Sequence, residues 1–377
     1  MRRKILAFLL PLAVGLSLCA CESKEDKIQE EGDKQEALME AEAENEEAQE
    51  APAGEAGGTV AILLANDPAG ELEESEVLVN TLKEAGYAVE LSFANGQQKT
   101  QKTQLEGLAL KEIRGLILEP VQPEGLDEGL EAVSDTGAYV VSYKDLVMDT
   151  EYVDAYVTFD YYSQGKETGE WLEDQLELEG REVSGPAYME VLAGDSINER
   201  VYYMGLMEVL SPYDEEGVLV AASGADRLEV RPEKSGQKTV AQCQEVLRKF
   251  YGDKQLDAVC ATSDKLAGDM CRALDAASYE VVREDEPVNV SDNKLWPVVT
   301  GCEIDAGGKS RIAAGWQSLS SYGSREELAK LGGEVLHSLI LGDEPDDPSK
   351  EYDNGVKIVD AYLAGMDRIE ADDLIGK

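Results

Sequence analysis

Val60-Ala61-Ile62-Leu63-Leu64 is five apolar residues in a row, preceded by Thr59 and followed by Ala65-Asn66-Asp67-Pro68. A strand with one wet face alternates apolar and polar residues. This run does not, so it is predicted to be a strand covered on both faces. The same pattern recurs outward from it. A helix is expected over 74–85, where Gly86 stops it, then a strand over 88–93 and a helix over 98–110. Gly115-Leu116-Ile117-Leu118 is a third apolar strand, a helix follows over 125–136, and Tyr139-Val140-Val141-Ser142 is a fourth strand. Buried strands alternating with helices require a parallel sheet with helices on both sides.

The rhythm then starts again. Strands are expected at 155–159, 187–192, 218–222, 258–260 and 298–300, with helices at 165–178, 198–210, 237–251 and 265–277. The fold class is therefore α/β, with two doubly wound parallel-sheet lobes. Ligands of such sheets bind beyond the carboxyl ends of the strands, so two facing sheets would share one cleft.

The first 57 residues have a different character. Met1-Arg2-Arg3-Lys4 is basic and 5–18 is apolar, too short for a permanent span and suited to a secretory signal. It ends Leu18-Cys19-Ala20-Cys21, the spacing of a bacterial lipobox with Cys21 as the lipidated residue and 1–21 as the signal peptide. Residues 22–57 hold fourteen Asp or Glu against three Lys and almost no aliphatic bulk, so they are expected to form a disordered acidic tether. The protein is thus expected to be exported, lipid-anchored to the outer face of the bacterial cytoplasmic membrane, and to touch the membrane through that anchor only.

A formal net charge of −44 makes nucleic acid a poor partner. Enzyme chemistry is not expected. His337 is the one histidine, and no nucleophile elbow, phosphate loop, HExxH or dinucleotide fingerprint stands in the right context. No cofactor or metal is called for. Cys243, Cys260, Cys271 and Cys302 show no metal spacing and read as buried free thiols.

Several stretches resemble one known family. Gly115 to Pro120, continuing Val121-Gln122-Pro123-Glu124-Gly125-Leu126, resembles its "aiiisPvdpeaL" segment. Leu256-Asp257-Ala258-Val259 with Asp264 resembles "vDAvl…yDgl". Pro297-Val298-Val299-Thr300-Gly301 resembles "piVtGqd", and Asn354-Gly355-Val356-Lys357-Ile358-Val359 resembles "NGvkvv". Their order over 59–377 is similar to the type I periplasmic solute-binding proteins of ABC sugar importers, especially the xylose-binding and multiple-sugar-binding branch. The resemblance implies two lobes joined by a three-segment hinge, here 58–160 plus 318–350 and 161–317 plus 356–377. It also implies a monomer that captures a sugar or sugar-like solute and delivers it to ABC permease subunits. A degenerate receptor that binds a partner protein or a non-sugar solute is the alternative.

Carried over position by position, the resemblance nominates Asn66 and Asp67 after the first strand, Lys144 and Asp145 after the fourth, and Asp160 and Tyr161 at the first crossing. In the second lobe it nominates Asn198, Asp264, Glu303 and Gln317. The Lys144-Asp145 order reverses the family's Asp-Arg pair, and the family's early aromatic is absent. Asp160 and Gln317 also suit hinge hydrogen bonds, Asn66 and Asp67 a turn with a helix cap, and Asp264 a helix cap. The lipobox reading has a direct check: Cys21→Ser is expected to move the protein from the membrane fraction to the soluble one on cell fractionation, and a variant as tightly membrane-bound as wild type overturns it.

Overall fold

The computed structural model describes residues 57–66, 68–229, 237–281, 294–343 and 348–375. The leader with Cys21, nearly all of the acidic segment and Asp67 lie outside the described residues.

Two sheets organise the chain. The first runs β14 (Lys350–Asp353), β15 (Ile358–Ala364), β5 (Ala155–Phe159), β4 (Tyr139–Tyr143), β3 (Ile113–Leu118), β1 (Thr59–Leu64), β2 (Ala88–Phe93). It is parallel except for β14, which runs antiparallel to β15. The second runs β16 (Met366–Glu370), β13 (Leu319–Gly323), β12 (Val298–Gly301), β9 (Ala258–Ala261), β6 (Ala187–Ala193), β7 (Leu219–Val220), with β8 (Leu228–Glu229) also on β6. Only β16 is antiparallel there, against β13. A two-stranded ribbon, β10 (Tyr279–Glu280) with β11 (Lys294–Leu295), stands apart. The α/β class and the two largely parallel sheets are as expected from the sequence.

The absence of alternation in β1 has its expected cause. Val60, Ile62 and Leu64 enter one core cluster, while Ala61 and Leu63 enter another on the opposite face. The first face is covered by α1 (Pro68–Glu84) and α9 (Arg325–Leu341), through Leu78, Leu82, Leu328 and Leu336. The second is covered by α2 (Gln98–Leu108) and α3 (Asp127–Ser134), through Leu105, Leu108, Leu130 and Val133. In the second lobe α4 (Tyr161–Gln175) and α5 (Ile197–Glu216) cover one face, and α6 (Gln237–Phe250) with α7 (Asp264–Ala276) the other. Between the ends of β12 and β13 lies the short helix α8 (Gly308–Ala313).

The lobe boundaries expected from the sequence need correction. Of 318–350, expected in the first lobe, α9 packs there, but β13 pairs with β12 in the second. Of 356–377, expected in the second, β16 lies there, but β15 pairs with β5 in the first. The chain crosses at Asp160, at Ser324 and at Gly365. β15 finds its partner about two hundred residues earlier in the chain, while β13 stays beside the strand that precedes it, and no local pattern distinguishes the two cases. The three crossings run close together: Asp160 N–H donates to Ala364 O at 2.9 Å, and a Cβ on Gly323 would meet the Phe159 ring at 2.1 Å. Two crossings end in helix caps. Asp160 accepts from Ser163 N–H at the start of α4, and Ser324 from Glu327 N–H at the start of α9.

The α4–α5 pair fixes the second lobe's inner layer. A Cβ on Gly165 would sit 2.0 Å from Tyr202 O, and one on Gly205 would sit 2.0 Å from Tyr162 O. The two helices meet backbone to backbone, and a carbonyl cannot move aside as a side chain can. Gly165→Ala and Gly205→Ala are each expected to lower stability by about 2–4 kcal/mol in urea unfolding. Gly107→Ala on α2, where nothing lies within 4 Å, is expected to be neutral or mildly stabilising.

Candidate functional site

The site is built where the carboxyl ends of the two sheets meet. From the first lobe, β4 ends at Tyr143 and the chain turns at Lys144, whose φ of 62° is left-handed. For a residue with a Cβ that conformation costs about 1–2 kcal/mol. Hydrogen bonds offset it. Lys144 N–H donates to Val157 O at 2.9 Å, and Lys144 O accepts from Thr158 Oγ1 at 2.8 Å. The Ser142 hydroxyl folds the rest of the loop, donating to Asp145 O and accepting from Val147 N–H.

The Lys144 side chain turns into its own lobe. Its ammonium lies 2.7 Å from Glu74 Oε2 and 3.3 Å from Glu119 Oε1. Both carboxylates are buried, Glu74 at 2% exposure and Glu119 at 5%. Tyr143 also donates to Glu74, and Ala65 N–H donates to Glu119. The reversed order of Lys144 and Asp145 thus sends the cation inward and leaves the carboxylate facing the second lobe.

Asn198, near the start of α5, answers from the other side. Its Nδ2 donates to Lys144 O at 3.0 Å and to Asp145 Oδ1 at 3.2 Å. Its Oδ1 lies 2.8 Å from the Tyr156 hydroxyl, whose single proton is shared with Lys144 O at 2.7 Å. One carboxamide therefore uses all its polar atoms on the opposite lobe. Asn198 and the Lys144-Asp145 pair, nominated separately from the sequence, thus lie in contact.

Glu303, just past β12, is also left-handed, with φ 57°. It accepts a hydrogen bond from the Tyr161 hydroxyl at the head of α4. Burial pushes the Asp145 carboxyl up to about 6; the Glu303 charge adds to this, Lys144 opposes it, and Glu199 adds again. Asp145, Glu303 and Glu199 therefore share one electrostatic neighbourhood.

Asp264 and Gln317, nominated as ligand groups, are buried and engaged with each other. Each is 1% exposed. Asp264 accepts from Gln317 Nε2 at 2.5 Å, Ser320 Oγ at 2.6 Å, Asp305 N–H at 3.0 Å and the Arg311 guanidinium at 2.8 Å. Arg311 also donates to Gln317 Oε1 at 2.9 Å. The network ties together the loops after β9 and β12 and the entry to β13, and all of Asp264's hydrogen-bonding capacity is taken within the lobe. Asp160 caps the start of α4, with Lys350 Nζ at 3.9 Å. Asn66 lies exposed at the end of β1, where its carbonyl accepts from Asn95 N–H.

Sequence reasoning missed Glu74, Glu119, Glu199 and Arg311. Glu119 stands directly after an apolar strand, which marks a cleft position. Glu199 is the fourth residue of Ser196-Ile197-Asn198-Glu199, a capping box that the structure forms in full. Glu74 and Arg311 carry no local signal. The four thiols are free and buried. Burial pushes Cys243 and Cys271 up to about 12 and Cys260 to about 11, so none is a ready nucleophile. His337 lies 3.0 Å from the Tyr87 hydroxyl, on α9. No helix among the described residues is long and apolar enough to cross a membrane.

Comparison with known proteins bears on the family and the fold. A family model described as a periplasmic binding protein domain matches residues 73–344. The chain is 28% identical over 300 residues to the multiple sugar-binding periplasmic protein SbpA of Azospirillum brasilense, covering 78% of this chain and 80% of that one. It is 29% identical over 312 residues to the multiple sugar-binding periplasmic receptor ChvE of Rhizobium radiobacter, covering 81% and 85%. The crystal structure of an ABC transporter solute-binding protein from Clostridium phytofermentans, with bound β-D-glucose, is 28% identical, with a TM-score of 0.71 over 84% of this chain and 94% of that one.

The raised Asp145 carboxyl makes stability depend on pH with a definite sign. In the folded chain this group holds a proton that an unfolded Asp releases near about pH 4. Its stabilising contribution is full below that and is lost as pH rises through about 6. Asp145→Asn keeps the acceptor for Asn198 and removes the charge. It is expected to leave the unliganded Tm nearly unchanged at pH 4.5 and to raise it at pH 8, by on the order of 1–2 kcal/mol of stability. A Tm difference that is flat across that range overturns the assignment.

Proposed function

This chain belongs to the periplasmic binding protein domain family, and from that premise we propose that it captures a sugar-sized solute between its lobes for an ABC importer. The observation that carries the reading is the joint of Asn198 with Lys144 and Asp145 at the carboxyl ends of both sheets. A solute that contacts both lobes there gains its full affinity only when they close, and that difference drives closure. The polar groups at the joint suit hydroxyls, because hydrogen bonds to charged groups are worth about 1.5–3 kcal/mol each. The protein releases its solute unchanged to permease subunits and acts as a monomer. The lipobox at Cys21 supports a lipid-anchored place on the outer face of the membrane, with the acidic segment as spacer.

The first test is a thermal-shift panel of aldoses, amino sugars and polyols on the purified mature protein. A true ligand at 100 times its Kd stabilises the fold by about 2.7 kcal/mol. Asn198→Ala is expected to weaken that ligand at least tenfold by calorimetry. Mass spectrometry after incubation is expected to return the ligand intact. A panel in which no sugar or polyol shifts the Tm overturns the reading.

A further inference from the structure

We propose that Asn95 is a site of spontaneous modification, where the side-chain amide converts to aspartate and isoaspartate while the protein stays folded. The inference goes beyond solute capture and stands independently of it. Asn followed by Gly occurs twice in the chain, at Asn95-Gly96 and at Asn354-Gly355. The fold exposes the first Asn and buries the second. The reaction is an internal acyl transfer. The main-chain nitrogen of the Gly attacks Cγ of the Asn and forms a new C–N bond. The bond from Cγ to the side-chain nitrogen breaks, and that nitrogen leaves as ammonia, taking the proton that the main-chain amide gives up. Water then opens the cyclic imide at either carbonyl, which yields Asp or isoAsp. Asn is among the thermolabile side chains. A following Gly favours the ring closure, because it has no Cβ to crowd the attacking nitrogen and its backbone turns freely.

At Asn95 little stands in the way. β2 is an edge strand that ends at Phe93, and the chain reverses just beyond it. Asn95 and Gly96 are both left-handed, with φ 52° and 67°, and Gln97 N–H closes the turn on Ala94 O at 3.0 Å. Both central residues are exposed, and no hydrogen bond among the described residues restrains the Asn95 carboxamide. The attacking nitrogen is held by one bond, from Gly96 N–H to Ala65 O at 2.7 Å. That bond must part before the ring closes. In a surface turn beside an edge strand, such opening is local and leaves the rest of the lobe folded.

Asn354 has the same neighbour and the opposite surroundings. It is fully buried. Its Nδ2 donates to Val147 O at 3.3 Å and to Thr150 O at 2.7 Å, and its Oδ1 accepts from Val356 N–H at 3.1 Å and Lys357 N–H at 2.9 Å. Gly355 N–H donates to Asp353 Oδ1 at 2.9 Å. Reaction there would give up all five bonds and admit water to a buried turn, so it waits on a much larger opening. The exposed turn also touches the end of the first sheet where the site is built, because Asn95 N–H donates to Asn66 O at 3.3 Å. Aspartate at this position adds a negative charge beside Asn66. Isoaspartate carries the main chain through the former side chain, lengthens the turn by one carbon and loosens its hold on Ala65 and Asn66. The modification thus alters the loop after β1 and leaves both cores as they were.

The test is incubation of the full mature protein at pH 8, well below its Tm, with peptide mass mapping of samples taken over time. The peptide that carries Asn95 is expected to gain one mass unit and to split into two chromatographic isomers, Asp and isoAsp. Its rate is expected to exceed that of the peptide carrying Asn354 by on the order of tenfold or more. In concentrated urea at the same pH the two peptides are expected to convert at comparable rates, which assigns the difference to the fold. Equal rates in the folded protein overturn the proposal. So does an Asn95 peptide that stays intact in the folded protein while it converts in urea, and so does a difference between the two peptides that persists in urea. Conversion to Asp alone, without the isomer, overturns the imide route.

Discussion

Two carboxylates buried beside each other are tolerable only with a cation between them, and for Glu74 and Glu119 that cation is Lys144. Much of the site depends on this one arrangement. With its ammonium drawn into the first lobe, Lys144 holds a left-handed backbone, and that turn presents its carbonyl to the opposite lobe. The next residue, Asp145, then faces outward. Reversal of the order would place a carboxylate among carboxylates, so the sequence Lys-Asp is required by the burial of Glu74 and Glu119 on the same lobe.

The second lobe solves a similar problem by other means. Asp264 is as deeply buried as Glu74, yet it is surrounded by donors, with Arg311, Gln317, Ser320 and a backbone amide all directed at it. Gly301 and Gly308 leave room for this crowding, since a Cβ on either would fall within 2.3 Å of an Asp264 oxygen. Each lobe is thus stabilised internally before the two meet. What remains for the joint is a set of groups whose hydrogen bonds are made across the two lobes.

The fold was largely legible in the sequence, because burial on both faces writes itself directly into runs such as Val60 to Leu64 and Leu116 to Leu118. Lobe membership near the C-terminus was not. Leu319–Gly323 pairs with the strand before it and Ile358–Ala364 with one about two hundred residues earlier, and nothing in either segment specifies its partner. At the site, position was legible and orientation was not. Lys144, Asp145 and Asn198 were nominated by the family resemblance, at positions that follow strand ends. That the Lys144 ammonium points inward depends on Glu74, which is seventy residues earlier on a helix. Asp264 and Gln317 read as ligand groups because sequence shows a carboxylate and a carboxamide but not the donors already occupying them.

The acceptor that Asn198 reaches on the first lobe is partly main chain. Every amino acid has a carbonyl, so substitutions at the side chains around Lys144 can change what the cleft selects while that half of the joint persists, provided the turn survives. Closure and selectivity are in this way written in different parts of the molecule. A lineage of such proteins is free to explore new cargoes by altering side chains without having to reinvent the motion that captures them, and alanine scanning, which leaves carbonyls untouched, would read the closing contact from its Asn198 half and not from its main-chain half.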